Sequence, residues 1–206
     1  MLEHIDDVLA RLYPTRTWGE ARDEDAEGML AEDLSALAEE LALELKAATF
    51  VRAPDDAEPC DMIYVMCMGR APCILQVRDH DVAIPDEWKT ADRIDELYLR
   101  VVISQRARVA AVQQVAVSAT REVDGSFTIR EAPRAGVYDA PLLARMQKLV
   151  AILPAYDVMH VDFGEIAHAP PGFHAGSWAA LYGGAPSIAN YLFYPQPTTM
   201  TSTVSL

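Results

Sequence analysis

The chain has 206 residues, 51% of them hydrophobic and 23% charged, with a formal net charge of −14 and a pI near 4.6. That length suits one domain with a large core, and so acidic a balance argues against direct binding to nucleic acid, which needs Lys and Arg to displace counterions from phosphates. No secretory leader opens the sequence and no apolar run reaches membrane-spanning length, so a soluble, cytoplasmic protein with no membrane partner is expected.

The charge is unevenly placed. Residues 1–61 hold 17 acidic and 5 basic side chains, whereas the rest of the chain holds 14 and 12. The final 41 residues, Ile166 to Leu206, hold none. Arg outnumbers Lys 14 to 3 in an Ala-rich sequence, the codon signature of a GC-rich bacterial genome.

In chain order, Glu3 to Leu12 reads as a short helix ended before Pro14, and Trp18-Gly19 as a turn. A longer acidic helix follows over Asp25 to Ala48. Leu30, Leu34, Leu37, Leu41, Leu45 and Ala48 recur on one face at three- and four-residue spacing, with Glu32, Asp33, Glu39, Glu40 and Glu44 between them. Such a helix packs one stripe and offers an acidic flank to water or to a partner.

The Pro-rich linker Arg52 to Pro59 breaks this pattern. Beyond it, strands are expected at Asp61 to Met68, Cys73 to Val77, Leu97 to Ser104, Val112 to Arg121 and Ser126 to Arg130. Ile94 to Val112 also fits helical spacing, but Val101-Val102-Ile103 favours strand. Asp124-Gly125 predicts a two-residue type I′ hairpin loop. Cys60, Cys67 and Cys73 lie among Met62, Met66 and Met68. Their spacing matches no paired zinc framework, so core packing is favoured over a copper(I) site. His80 between Asp79 and Asp81 reads as a solvated acidic loop.

Asp139 is positioned to cap a helix whose face is Leu142, Leu143, Met146, Leu149, Val150 and Leu153, stopped by Pro154. Tyr156 to Phe163 alternates as a strand. Ser177 is placed to cap a single turn over Trp178 to Tyr182, which Gly183-Gly184 ends. The class is therefore α+β, a mainly antiparallel sheet with N-terminal acidic helices and one later helix packed on it. Three regions follow: an acidic helical region at 1–53 on the same domain, an α+β core at 54–165, and an uncharged aromatic and Pro-rich segment at 166–206.

Two functional classes arise. The first is a non-catalytic acidic protein-binding protein of inhibitor or immunity type, an adaptor or an assembly subunit. It binds a protein partner or a second copy of itself, needs no cofactor, and uses its acidic helical end together with Trp178, Tyr182, Tyr191, Phe193 and Tyr194, since interface cores are poor in charge and rich in aromatics. Those rings have an intramolecular core as their other destination. The second class is a small hydrolase with one divalent transition metal (zinc, iron or manganese). Its ligands come from His160, Asp162, Glu165, His168 and His174, which bring imidazole and carboxylate donors together within fifteen residues and activate a bound water. No P-loop, dinucleotide fingerprint, HExxH motif or nucleophile elbow occurs.

Overall fold

A computed structural model describes residues 2–21, 28–47, 49–52, 60–68, 91–133, 140–193 and 200–204. The expected strand at Cys73 to Val77, the His80 loop, Cys73 itself and the Asp139 cap lie outside these residues. Helices α1 (Leu2–Leu12) and α2 (Ala31–Leu45) precede strands β1 (Thr49–Arg52), β2 (Cys60–Met68), β3 (Arg93–Ser104), β4 (Val109–Arg121) and β5 (Phe127–Pro133). There follow α3 (Ala140–Ile152), a 3-10 turn at Leu153–Tyr156, β6 (Met159–Val161), the short helices α4 (Trp178–Tyr182) and α5 (Ile188–Phe193), and β7 (Met200–Val204). The fold is α+β. No helix among the described residues is long and apolar enough to cross a membrane.

The sheet runs β1-β2-β3-β4-β5-β7, every neighbouring pair antiparallel. Strand β4 has two partners on one side: its first residues, Val109 to Ala111, pair in parallel with β6, and Val115 to Arg121 pair with β5. The central strands are apolar on both faces because both faces are covered, as their β-branched runs imply. Leu99, Val101, Ile103, Ala110 and Val112 face a layer made by Leu34, Leu37, Leu41 and Leu45 of α2 and by Leu142 and Leu149 of α3. Tyr98, Val102, Val109, Ala111, Val115 and Ala119 face the opposite layer, built by Ile5, Leu9 and Leu12 of α1 and by the uncharged C-terminal segment. In β2, Ile63 joins the α2 side. The side chains of Cys60, Met62, Met66, Cys67 and Met68 lie outside the described residues.

Several local expectations are corrected. The acidic helix begins at Ala31, leaving Leu30 before its first turn and 66% exposed, outside the buried stripe. It ends where Lys46 takes a left-handed conformation, with Lys46 N–H reaching Leu43 O and Ala47 N–H reaching Ala42 O, the paired bonds of a Schellman close. Gly28 precedes it because a Cβ there would collide with the backbone carbonyl of Gln105.

The β4–β5 hairpin is present, but its loop is longer than two residues. Gly125 N–H bonds Glu122 O at 3.0 Å and Glu122 N–H bonds Ser126 O at 2.8 Å, so the turn runs from Glu122 to Gly125 and within it only Gly125 has a positive φ, +85°. Asp124 is instead held by accepting from Ser126 N–H at 2.9 Å and from Ser126 Oγ at 2.6 Å, bonds that lower its carboxyl pKa.

The α-helix ends at Ile152, ahead of Pro154 as expected, but a 3-10 turn follows it directly. Pro154 sits in the first turn of that 3-10 segment, where its missing N–H costs nothing. Tyr156 therefore belongs to that turn, Asp157 reverses the chain at φ +56°, and the strand is confined to Met159–Val161. Ser177 has helical backbone angles and makes no side-chain cap.

Candidate functional site

The C-terminal segment is fastened to the body by its backbone. After β6, Asp162 O accepts from Glu165 N–H at 3.1 Å and Ile166 N–H at 3.3 Å, and Asp162 Oδ1 accepts from Gly164 N–H at 2.6 Å. This turn drops Ile166 into the core. Ile188 N–H to His168 O at 2.9 Å and Ala189 N–H to Ile166 O at 3.0 Å then tie α5 to it. Farther along, His174 N–H donates to Arg16 O at 2.7 Å and accepts through its carbonyl from Trp18 N–H at 3.0 Å, a parallel bridge across Thr17 and His174. Gly176, at φ +50°, lets the two backbones meet, since a Cβ there would strike the Trp18 carbonyl.

This clasp encloses an aromatic cluster around Tyr191. Tyr13, Trp18 and Phe173 all meet its ring nearly edge-on, with centroids 4.8, 5.1 and 5.2 Å away. Trp178 stands against Trp18 at 4.7 Å and Phe193 against Phe163 at 5.8 Å. Such tilted pairs align ring edges with neighbouring faces and add about 0.5–1.5 kcal/mol each beyond burial.

The polar ends are satisfied as well. Arg106 Nη1 donates to Tyr13 Oη at 2.8 Å, Tyr13 Oη donates to Tyr191 O at 2.9 Å, and Tyr191 Oη donates to His174 O at 3.2 Å. Burial, reinforced by the neighbouring Tyr13, pushes the Tyr191 hydroxyl up to about 12.

Trp178, Tyr191 and Phe193 are therefore 9%, 1% and 0% exposed inside the chain's own core. The expectation that they form a contact surface is corrected for these three, because their faces are already covered by Tyr13, Trp18 and the sheet. The Tyr182 side chain and Tyr194 lie outside the described residues.

The proposed metal ligands do not assemble. Among the described residues no group of three or more His, Cys, Asp or Glu is placed to hold an ion. The hydrogen bonds explain why: His168 is tied by its carbonyl to α5, His174 is tied to Arg16 and Trp18, and Asp162 is turned to Gly164. His160 is half-buried, and burial lowers its pKa against the opposing pull of Asp162 and Glu165. The folded state thus holds His160 neutral more strongly than the unfolded chain does. That contribution is present above the ordinary histidine pKa of about 6.5 and is lost as pH falls through the lowered folded value. Melting temperatures taken from pH 7 down to pH 5 should fall less steeply for His160→Gln than for the parent; parallel curves would mean His160 carries no linkage.

Helix α2 sorts its acids into two rows. Asp33 and Glu40 turn toward the body: Asp33 Oδ2 lies 3.8 Å from Arg108 Nη2, and Tyr156 Oη donates to Glu40 Oε2 at 2.7 Å. The hydrogen bond to Glu40, then burial, then the negative charges of Glu40, Asp33 and Glu39 push the Tyr156 hydroxyl up to about 12. Glu32, Glu39 and Glu44 are exposed, and Leu43 beside them is 77% exposed. Glu32, Ala36, Glu39 and Leu43 follow i, i+4, i+7, i+11 spacing and share the outward face.

A further charged residue escaped the sequence reading. Arg100 in β3 is 0% exposed, its Nε and Nη2 donating to Gln113 Oε1 of β4 at 3.1 and 2.7 Å. A lone Arg in an alternating strand reads as a solvent position, and only the second covering layer makes it an interior one. No family model matches this chain, and neither curated proteins nor solved structures give a match.

Proposed function

We propose that the protein is a non-catalytic, cytoplasmic, acidic protein-binding protein, of inhibitor or immunity type, an adaptor or an assembly subunit, whose contact surface is the outward face of α2. The observation that carries this reading is Leu43, a large aliphatic side chain 77% exposed between exposed Glu39 and Glu44 on a helix whose other leucines within Ala31–Leu45 are buried. Trp178, Tyr191 and Phe193 of the C-terminal segment support the body of the molecule, which favours the acidic helix as the recognition element.

A basic protein suits it. Opposite fields accelerate encounter and reject acidic competitors, and an apolar residue among charges supplies a desolvated anchor. The net charge of −14 disfavours phosphate backbones.

The test is capture of a basic partner by the protein and by a Glu32→Lys/Glu39→Lys variant at low and high salt. Charge reversal should weaken capture tenfold or more at low salt, and Leu43→Ala should weaken it about five- to tenfold, the scale of an interface anchor. Equal capture by all three removes α2 from the contact. Metal content of protein purified without a histidine tag tests the hydrolase reading, since stoichiometric metal lost on His160→Ala would replace the binding reading with it.

A further inference from the structure

We infer that β7 is the seam of a homodimer, in which two copies pair their Met200–Val204 strands edge to edge and antiparallel, joining two sheets into one. Strand β7 ends the sheet: it pairs with β5 from Phe127 opposite Val204 to Glu131 opposite Met200, and among the described residues no strand lies on its other side. Alternate residues of a strand aim their N–H and C=O groups to opposite sides, so one set bonds β5 and the other forms a row that templates a further strand.

Such edges are ordinarily guarded by charge or proline, and the two ends of this sheet differ in that respect. At the β1 end, the strand itself carries a charge, Arg52. Within β7, Met200-Thr201-Ser202-Thr203-Val204 has no charge, proline or glycine. Strand β5, one place inward, carries Arg130 and Glu131.

Electrostatics selects the same place. A second copy brings its own −14, so two copies approach at least cost where neither carries charge, and the last 41 residues are that region. Repulsion from the acidic N-terminal third is screened beyond about 8 Å at physiological salt. Antiparallel pairing of identical strands is isologous and uses up both edges, so assembly closes at two copies.

The inference is independent of the basic-partner reading, whose surface is α2. Light scattering after gel filtration, over a range of loading concentrations, should show the intact chain approaching twice its 22.7 kDa mass as concentration rises. Deletion of Met200 to Leu206, and separately Ser202→Lys, which sets like charges against each other across the seam, should each leave a monomer. A further measurement needs no variant. On dilution of the intact chain, amide exchange should accelerate at alternate residues of Met200–Val204 while the β5-bonded set stays protected. An intact chain that is monomeric throughout, a dimer that persists in both variants, or exchange in β7 unchanged on dilution would each overturn the inference.

Discussion

A chain ended after Glu165 is expected to be unfolded, whereas a chain ended after Phe193 is expected to fold. The first truncation removes Ile166, Trp178, Ile188, Tyr191, Leu192 and Phe193, six large side chains of at most 9% exposure. At about 1.5–3 kcal/mol for each fully buried side chain they contribute roughly 9–18 kcal/mol. Domains are stable by about 5–15 kcal/mol in total, so the loss exceeds the margin. The truncation also strips the cover from Tyr13, Trp18 and the α1 face of the sheet. Ending at Phe193 keeps the whole described aromatic cluster and removes β7 from the sheet edge, leaving β5 with its charged residues as the new margin. Near-UV circular dichroism and urea unfolding check the pair. A cooperative transition in the chain ended after Glu165 would mean that the uncharged segment is an appendage and that the buried contacts around Tyr191 are not formed in solution.

That segment shows what composition can and cannot disclose. The rings of an uncharged, aromatic stretch call for cover, and this much follows from the sequence. For Trp178, Tyr191 and Phe193 that cover is Tyr13, Trp18 and the sheet, while Ala167, His168, Ala169 and Ser177 of the same segment stay exposed. The hydrogen bond from Tyr13 to Tyr191 spans 178 positions, a pairing that no local pattern announces. By contrast, the α2 stripe of Leu34, Leu37, Leu41 and Leu45 was legible because its period of 3.6 is written in consecutive residues, and β3 was legible from the β-branched run Val101-Val102-Ile103, since a strand covered on both faces shows no alternation.

Turn signals were legible in place but not in kind. Asp124-Gly125 marks the hairpin, yet the side-chain bonds from Ser126 to Asp124 help set a longer loop. Tyr156 to Phe163 alternates well enough for a strand, but the 3-10 turn at Leu153–Tyr156 and the reversal at Asp157 claim its first part. The histidine set failed for a similar reason. Nearness in sequence placed His160, His168 and His174 together, whereas their backbone hydrogen bonds serve three different elements: β4, α5 and the Arg16–Trp18 stretch.

Substituting two leucines of α2, two residues apart, is expected to give opposite outcomes. Successive residues on a helix are separated by about 100°, so Leu41 and Leu43 point in nearly opposite directions. Leu41 is 0% exposed against the sheet and Leu43 is 77% exposed. Leu41→Ala deletes buried methyl groups and leaves a cavity beside the sheet, a change that costs about 2–5 kcal/mol in comparable cores. Leu37→Ala, also at 0% exposure, should cost a similar amount. Leu43→Ala should stay within about 0.5 kcal/mol of the parent, as surface substitutions do. Urea unfolding at fixed pH reads all three: the midpoint should drop sharply for the first two at unchanged slope and hold for the third. If Leu43→Ala proved as costly as Leu41→Ala, the helix would be rotated about its axis, and with it the outward placement of Glu32 and Glu39 would be lost. If Leu43→Ala leaves the midpoint in place and weakens capture of a basic partner, its exposed side chain serves recognition and not the stability of the fold. The two measurements together separate the buried stripe that builds the domain from the acidic face that meets another molecule.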